Sequence, residues 1–271
     1  MASKRILVSF RDNQHQFAGE RLRREALDCG IFDDVRIFTE KDLNPQFVGR
    51  FGSYLVPGSR GFGYYSWKPQ VILQALEDSK DGDLVQWLDI GSVLNATQTK
   101  RLQKYFDEAN DSPSGMLAFS APEYPRWLLN PRKPGKEMFE YQWTKGDIFD
   151  ACDSRDRQEI THTTQVATGA IFLRNCSETR SFIERWLTVI WSDPTLVDDS
   201  PSRSDNFPGF VENRHDQSVF SVLAKLEGIS RRPWSETDFI TERTRSLPGL
   251  WSFYVGPAKK KAPIVHARKF S

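Results

Sequence analysis

Residues 66–95 read SWKPQVILQALEDSKDGDLVQWLDIGSVLN. Ser66 is expected to cap a helix that starts at Trp67. Pro69 then falls in the first turn, where its missing N–H has no intrahelical partner to lose. Val71, Ile72, Ala75 and Leu76 recur at helical spacing and form one apolar stripe. SKDGD, at 79–83, reads as a turn. Leu84–Leu88 is then a short apolar strand, and it ends on a carboxylate, Asp89, followed two residues on by Gly91. In open α/β sheets ligands bind beyond the carboxyl ends of the strands, so Asp89 stands at the functional end. Two readings of it stay open: an oxygen ligand for a divalent cation, or a cap for a following helix. Gly91 leaves room for a ligand or a neighbouring backbone.

Working outward, KRILVSF at 4–10 reads as a first strand buried on both faces. Residues 15–29 read as a helix with Phe17, Leu22, Ala26 and Leu27 on its inner face, stopped by Gly30. Val35–Phe38 is a second strand, followed by a polar loop that includes PGSRGFGYY at 57–65. Strand, helix, strand, helix, strand predicts an α/β fold with a mostly parallel central sheet and flanking helices. Beyond it, 97–109 reads as a helix and GMLAFSA at 115–121 as a strand. Residues 122–136 carry four prolines and read as a long loop. A helix is expected over 144–153, a strand over 165–175 interrupted by Gly169, and an amphipathic helix over 177–191. The Ser-, Asp- and Pro-rich stretch 193–213 is expected to be a mobile loop, before structure resumes in RHDQSVFSVLAKLEG at 214–228. There is no internal repeat.

Composition narrows the function. The 271 residues suffice for a sizeable core, and 38% hydrophobic with 13% aromatic content is globular. With 37 basic against 36 acidic residues and a net charge of +1, bulk charge predicts neither nucleic-acid nor membrane binding. Cys29, Cys152 and Cys176 show no metal or CxxC spacing and read as free thiols of a reducing compartment. The apolar run in MASKRILVSFRD is too short for a signal peptide, and no stretch reaches the ~18 apolar residues of a membrane span. The expected location is the cytoplasm, with peripheral association at the inner face of the cytoplasmic membrane as the one membrane role. Oligomeric state is not legible.

Four stretches carry a resemblance: SWKPQVILQAL…GDLVQWLDIGSVLN, TGAIFLRN at 168–175, ENRHDQSVFSVLAK at 212–225 and IVHARK at 264–269. Together they resemble GT-A glycosyltransferases, and among these the bacterial enzymes of lipopolysaccharide O-antigen or capsule assembly. The likeness in element order spans about 4–268. It implies one domain over 1–271, with a nucleotide-binding half at about 1–120 and an acceptor-binding half at about 121–271. It also implies hexosyl transfer from a nucleotide sugar, a UDP-sugar above all, to a saccharide or lipid-linked glycan. In that fold a DXD motif after the central strand binds Mn²⁺ or Mg²⁺ against the donor diphosphate, and a late histidine completes the metal site. Here Asp89 matches the first Asp, position 91 is Gly rather than the second, and His266 matches the histidine. An imidazole suits Mn²⁺ better than Mg²⁺.

The leaving nucleoside diphosphate needs positive charge against it. The resemblance and the residue types offer Lys68, Arg60, Arg268 and Lys269, with Lys68 aided by the positive end of its helix. The Lys259–Lys261 run reads as a solvated turn or a contact for anionic lipid. Ser9, Arg11 and Asp12, after the first strand, match the loop that contacts base and ribose. Asp216 and Gln217 match the catalytic position facing the acceptor and the sugar C1. Asp216 is the base of an inverting transfer, or either residue stabilises charge in a retaining one. A cap or first-turn acid is the plain alternative for Asp216. His215, Thr168 and Gly169 are assigned to the sugar substrates, Gly169 by letting substrate approach the backbone. Tyr124, Trp127 and Trp143 stack on an acceptor sugar or belong to the core. His162 has no assigned role.

Two other readings compete. A sugar-phosphate nucleotidyltransferase shares the layout, but SFRDNQHQFAGERLR lacks the Gly-rich basic loop expected after its first strand. A non-catalytic saccharide- or nucleotide-binding protein built on the same fold fits the missing second Asp.

Overall fold

The computed structural model describes residues 3–121, 138–237 and 262–266. The strands are β1 (Arg5–Phe10), β2 (Asp34–Phe38), β3 (Leu84–Leu88), β4 (Ser92–Leu94), β5 (Met116–Ser120), β6 (Val166–Arg174), β7 (Ser230–Pro233) and β8 (Ile264–His266). Six of them form one sheet in the order β2-β1-β3-β6-β5-β7. β1 pairs parallel with β2 and β3, and β5 with β7. β6 runs against both its neighbours. The sheet is therefore parallel except for β6, as the alternation of strands and helices predicts.

Period-two burial explains why both faces need helices. Ile6, Val8, Phe10, Val85 and Trp87 point to one face, and Leu7, Leu84 and Leu88 to the other. The first face is covered by α3 (Lys68–Glu77), α5 (Ser177–Ser192) and α6 (Asp216–Leu226), through Val71, Ile72, Phe182, Trp186, Val219 and Phe220. The second is covered by α1 (Gln16–Cys29) and α4 (Thr99–Asp111), through Leu22, Ala26, Leu102, Tyr105 and Phe106. A shorter helix, α2 (Pro45–Phe51), adds Phe47 and Phe51 to the first face. The result is three layers, helix on sheet on helix.

Several expectations change in detail. α1 ends as predicted, with Gly30 at φ 63° and its N–H on the Leu27 carbonyl. Its buried stripe, however, is Ala18, Leu22 and Ala26, while Phe17 and Leu27 are 84% and 67% exposed. With Gly19 and Cys29 also buried, this face is small except for Leu22, which lets α1 lie close to the sheet. Ser66 does not cap α3: the cap position is Trp67, and the Ser66 hydroxyl is buried without a partner. No helix follows Asp89, so it is not a cap; the chain turns through Ser92 N–H on the Asp89 carbonyl into β4. β6 runs unbroken through Gly169. The helix expected at 144–153 shortens to Gly146–Ala151. The 193–213 stretch is tied down rather than loose: Asp147 accepts the Arg203 and Ser204 N–H groups, and Asn213 donates to the Leu196 carbonyl at 2.8 Å.

β4 and β8 form a two-stranded ribbon in which Ser92 stands opposite His266. This ribbon places the late histidine beside the carboxyl end of β3. Among the described residues no helix is long and apolar enough to cross a membrane. All three cysteines are free, and burial raises the Cys29 and Cys152 thiols to about 11 and about 12.

Candidate active site

Three elements converge at the carboxyl end of β3. Asp89 emerges from the strand itself, Lys68 from the first turn of α3, and Asp216 from the first turn of α6. The Lys68 ammonium lies 3.0 Å from Asp89 Oδ1 and 3.0 Å from Asp216 Oδ2. It also donates to Thr168 Oγ1 at 3.1 Å, and that hydroxyl donates to Asp216 Oδ2 at 2.9 Å. The Trp87 indole N–H is shared between Asp89 Oδ1 (3.2 Å) and the Thr168 carbonyl (3.0 Å). The Lys68 side chain is 2% exposed and that of Asp216 4%, whereas Asp89 is 38% exposed and forms the open side of the cluster.

The approach to Lys68 is strained. Gly61, Phe62, Gly63, Tyr64 and Tyr65 all have positive φ, between 48° and 91°. For the three non-glycine residues such backbone costs roughly 1–2 kcal/mol each. The turn is held by Phe62 and Trp67 stacking on Phe10, with Trp67 centred 4.0 Å away. It sets Tyr65 against the ammonium, whose nitrogen is 5.3 Å from the ring centre, with Trp87 at 5.7 Å.

One ammonium between two carboxylates leaves the cluster with a net negative charge. Burial raises the Asp216 carboxyl to about 6; Lys68 opposes this and nearby Asp89 adds to it. For Lys68, burial pulls the other way, but the two carboxylates outweigh it and hold the ammonium above its ordinary value. Lys68 was expected as a free cation for phosphate. Its charge is instead taken up by two carboxylates inside the protein, so it fixes their positions rather than clamping a diphosphate.

The other expected residues divide. Ser9 is fully buried and donates to the Leu88 carbonyl at 2.6 Å, so its hydroxyl ties β1 to β3 and does not reach a ligand. Asp12 caps the short turn Asn13–His15, accepting from the Gln14 and His15 N–H groups and pairing with the His15 imidazole. Arg11 is half-buried at the end of β1, its stem against Gly19. Gly91 has open space where a Cβ would stand. Gly169 does not: a Cβ there would come within 2.7 Å of His266 Cε1, so its missing side chain makes room for the imidazole and not for a substrate. Gln217 donates to Gln165 Oε1 at 2.8 Å. Arg60 pairs with Asp199 (3.1 Å) and Glu212 (3.6 Å). Trp143 is 9% exposed beneath the Arg214 guanidinium, and the His162 ring packs on Tyr141. Arg268, Lys269, Tyr124, Trp127 and Lys259–Lys261 lie outside the described residues.

The donor set does not amount to a metal cage. Asp89 and His266 both flank Gly169, through the Asp89 N–H on its carbonyl and through the imidazole at its Cα. But His266 Nδ1 is bonded to Ser92 Oγ at 2.8 Å, Asp89 Oδ1 is held by Lys68 and Trp87, and position 91 offers no side-chain oxygen. Among the described residues no three His, Cys, Asp or Glu side chains converge. These two groups would hold a divalent ion only together with substrate phosphates, as Mg²⁺ is usually held.

Trp87, Tyr65 and Ser92 complete the arrangement and were not singled out in the sequence. Only their nearness to Lys68 and Asp89 in the chain could have flagged them.

No protein-family model and no curated protein matches the chain. Solved structures do. The apo WbbM bifunctional glycosyltransferase matches over 99% of this chain and 46% of its own, with 11% identity and a TM-score of 0.50. The fold is GT-A-like. A glycosyltransferase involved in glycosylating the major capsid of PBCV-1 matches over 99% of this chain and 94% of its own (13% identity, TM-score 0.47). The galactosyltransferase LgtC, in complex with donor and acceptor sugar analogues, matches over 97% and 87% (10% identity, TM-score 0.43). At such identities the likeness is one of fold, and this chain spans less than half of WbbM.

Proposed function

We propose that this chain is a glycosyltransferase that moves a hexose from a nucleotide sugar, in the first instance a UDP-sugar, to a hydroxyl of a saccharide. The acceptor is a lipid-linked glycan of surface polysaccharide assembly, met at the inner face of the cytoplasmic membrane. The observation that carries the reading is the buried Lys68–Asp89–Asp216 cluster at the carboxyl edge of a GT-A-like sheet. Titratable groups held by burial and by specific charged partners gather at functional sites.

The chemistry follows from the charge. As the bond from the anomeric carbon to the diphosphate breaks, positive charge builds on the sugar ring. A fixed cluster of net negative charge, partly shielded from water, favours that state. Asp216, with its carboxyl raised to about 6, is ionised at neutral pH yet basic enough to take a proton from an acceptor hydroxyl. Lys68 and Thr168 position it; Trp87 and Lys68 position Asp89. Arg11 and Asp12 sit at the end of β1 in the donor half (about 1–120), and Gln217 and His215 in the acceptor half. Asp89 and His266 would hold a divalent cation together with the donor diphosphate, whose developing charge it would neutralise, and no step is assigned to it.

Incubation with UDP-glucose or UDP-galactose, with and without Mn²⁺, tests the reading. UDP release together with thermal stabilisation is the expected result, and absence of any response to nucleotides refutes it. A second reading, a binding module without turnover, is favoured by Gly91 and by the pairing of Lys68. Stabilisation by UDP without turnover over a panel of saccharide acceptors would select it.

A further inference from the structure

Among the described residues His215 is strained and incompletely paired. Its backbone sits at φ 57°, ψ −126°, a region that only glycine enters readily. Its side chain belongs to a residue 3% exposed. Nδ1 lies 2.6 Å from the Val197 carbonyl, which can only accept, so Nδ1 carries the proton. Nε2 then presents a lone pair, and among the described residues that buried atom has no hydrogen-bond partner. Burial also holds the imidazole below its ordinary pKa, in the neutral form.

The surroundings say what the missing partner is. The ring packs against Tyr64 and Tyr65, at 5.3 and 6.4 Å between centres, both in the strained left-handed turn. The next residue is Asp216, on Lys68. Tyr65 is 36% exposed and is the solvent-side member of this stack. A neutral nitrogen lone pair accepts from a hydroxyl, and offers nothing to a phosphate or carboxylate. Tyrosine rings beside it suit the C–H face of a pyranose.

We propose that His215 reads a hydroxyl of a saccharide: Nε2 accepts its hydrogen bond. This rests on the glycosyltransferase reading and narrows it to sugars that present a hydroxyl at that position.

The test is ¹⁵N–¹H correlation of the histidine side chains in the full chain, with UDP, UDP-glucose, UDP-galactose, UDP-glucuronic acid and methyl galactoside as probes. The His215 Nε2 resonance should keep its neutral, Nδ1-protonated pattern and move on adding a neutral sugar probe, but not with UDP alone. His215→Phe, which keeps a ring and removes the acceptor, should weaken the neutral UDP-sugar about five- to tenfold and leave UDP binding unchanged, as expected for one lost hydrogen bond. His215→Gln, which keeps an acceptor, should retain part of that affinity. An unmoved resonance in a protein that UDP stabilises, or unchanged binding of the neutral UDP-sugar by His215→Phe, overturns the inference and leaves the glycosyltransferase reading standing. Failure of UDP to bind at all overturns both.

Discussion

Three lysine side chains are buried among the described residues, those of Lys68, Lys145 and Lys225, and Lys68 and Lys225 are buried differently. Lys225 on α6 lies 2.7 Å from Glu140 Oε1, with side-chain exposures of 3% and 0%. Glu140 also accepts from Ser221, from Thr144 Oγ1 at 2.6 Å and from Gln165 Nε2 at 3.2 Å. The Lys225 ammonium also reaches the Ile160 and Thr163 carbonyls, and the Glu140 carboxylate is surrounded by donors. Lys68 instead meets two carboxylates, one of them 38% exposed, beside strained backbone and an unpaired histidine nitrogen. A balanced, enclosed pair is what a core needs when it must hold polar groups. An unbalanced, half-open one is what a site keeps for a ligand to complete.

Five changes would break or sharpen that contrast. The largest effect on stability is expected at the enclosed pair: Lys225→Met leaves Glu140 charged and unpaired and should cost about 3–5 kcal/mol. Chemical denaturation would measure it, and turnover per folded molecule should be unchanged. If turnover falls and stability holds, the two lysines have been assigned the wrong way round.

At the open cluster the order reverses. Asp89→Asn and Asp216→Asn should each lower kcat/KM by about 10²–10³-fold, roughly 3–4 kcal/mol of transition-state stabilisation, while the protein stays folded. Asp216→Asn carries a pH signature as well. Because burial raises the Asp216 carboxyl from 3.8 to about 6, its contribution to stability is present below its ordinary value and is lost as pH rises through about 6. Lys68, held above its ordinary value, stays charged throughout this window. Wild type should therefore lose Tm relative to the Asn variant between pH 4 and pH 7; parallel Tm curves would contradict the burial argument.

Gly169→Ala should cost about 1–3 kcal/mol, because the new Cβ meets the His266 ring at 2.7 Å and pushes against the β4–β8 ribbon. A neutral effect in thermal denaturation would mean that His266 does not sit there in solution. Smallest is Gly91→Asp. Open space at that position accepts the side chain, and a second carboxylate should raise Mn²⁺ affinity about tenfold over the parent, read by calorimetry. No gain would show that Lys68 has displaced the metal position altogether.

Much of this was legible beforehand for a local reason. The stripe Val71, Ile72, Ala75, Leu76 and the apolar run 84–88 place α3 and β3 because periodicity follows from backbone geometry. Gly30 ends α1 because left-handed backbone favours glycine. Asp89, Lys68 and Asp216 could be picked out by residue type and position at element ends. What could not be read was their mutual distance: Thr168 is a hundred residues from the lysine it touches. Nor could Ser9 be told from a ligand contact, since only the pairing of β1 with β3 turns its hydroxyl onto Leu88. Phe17 was misplaced for a related reason. Two neighbouring helical stripes look alike in sequence, and the sheet chose the one built of small residues.

The sequence alone determined the layers, the order of helices and strands, and which ends of strands carry polar groups, because each of these is set by neighbours within a few residues. The tertiary structure decided what the polar groups became. A lysine's charge is free or spent according to the carboxylates brought against it from distant elements, and a carboxyl's pKa follows from how much water those elements leave.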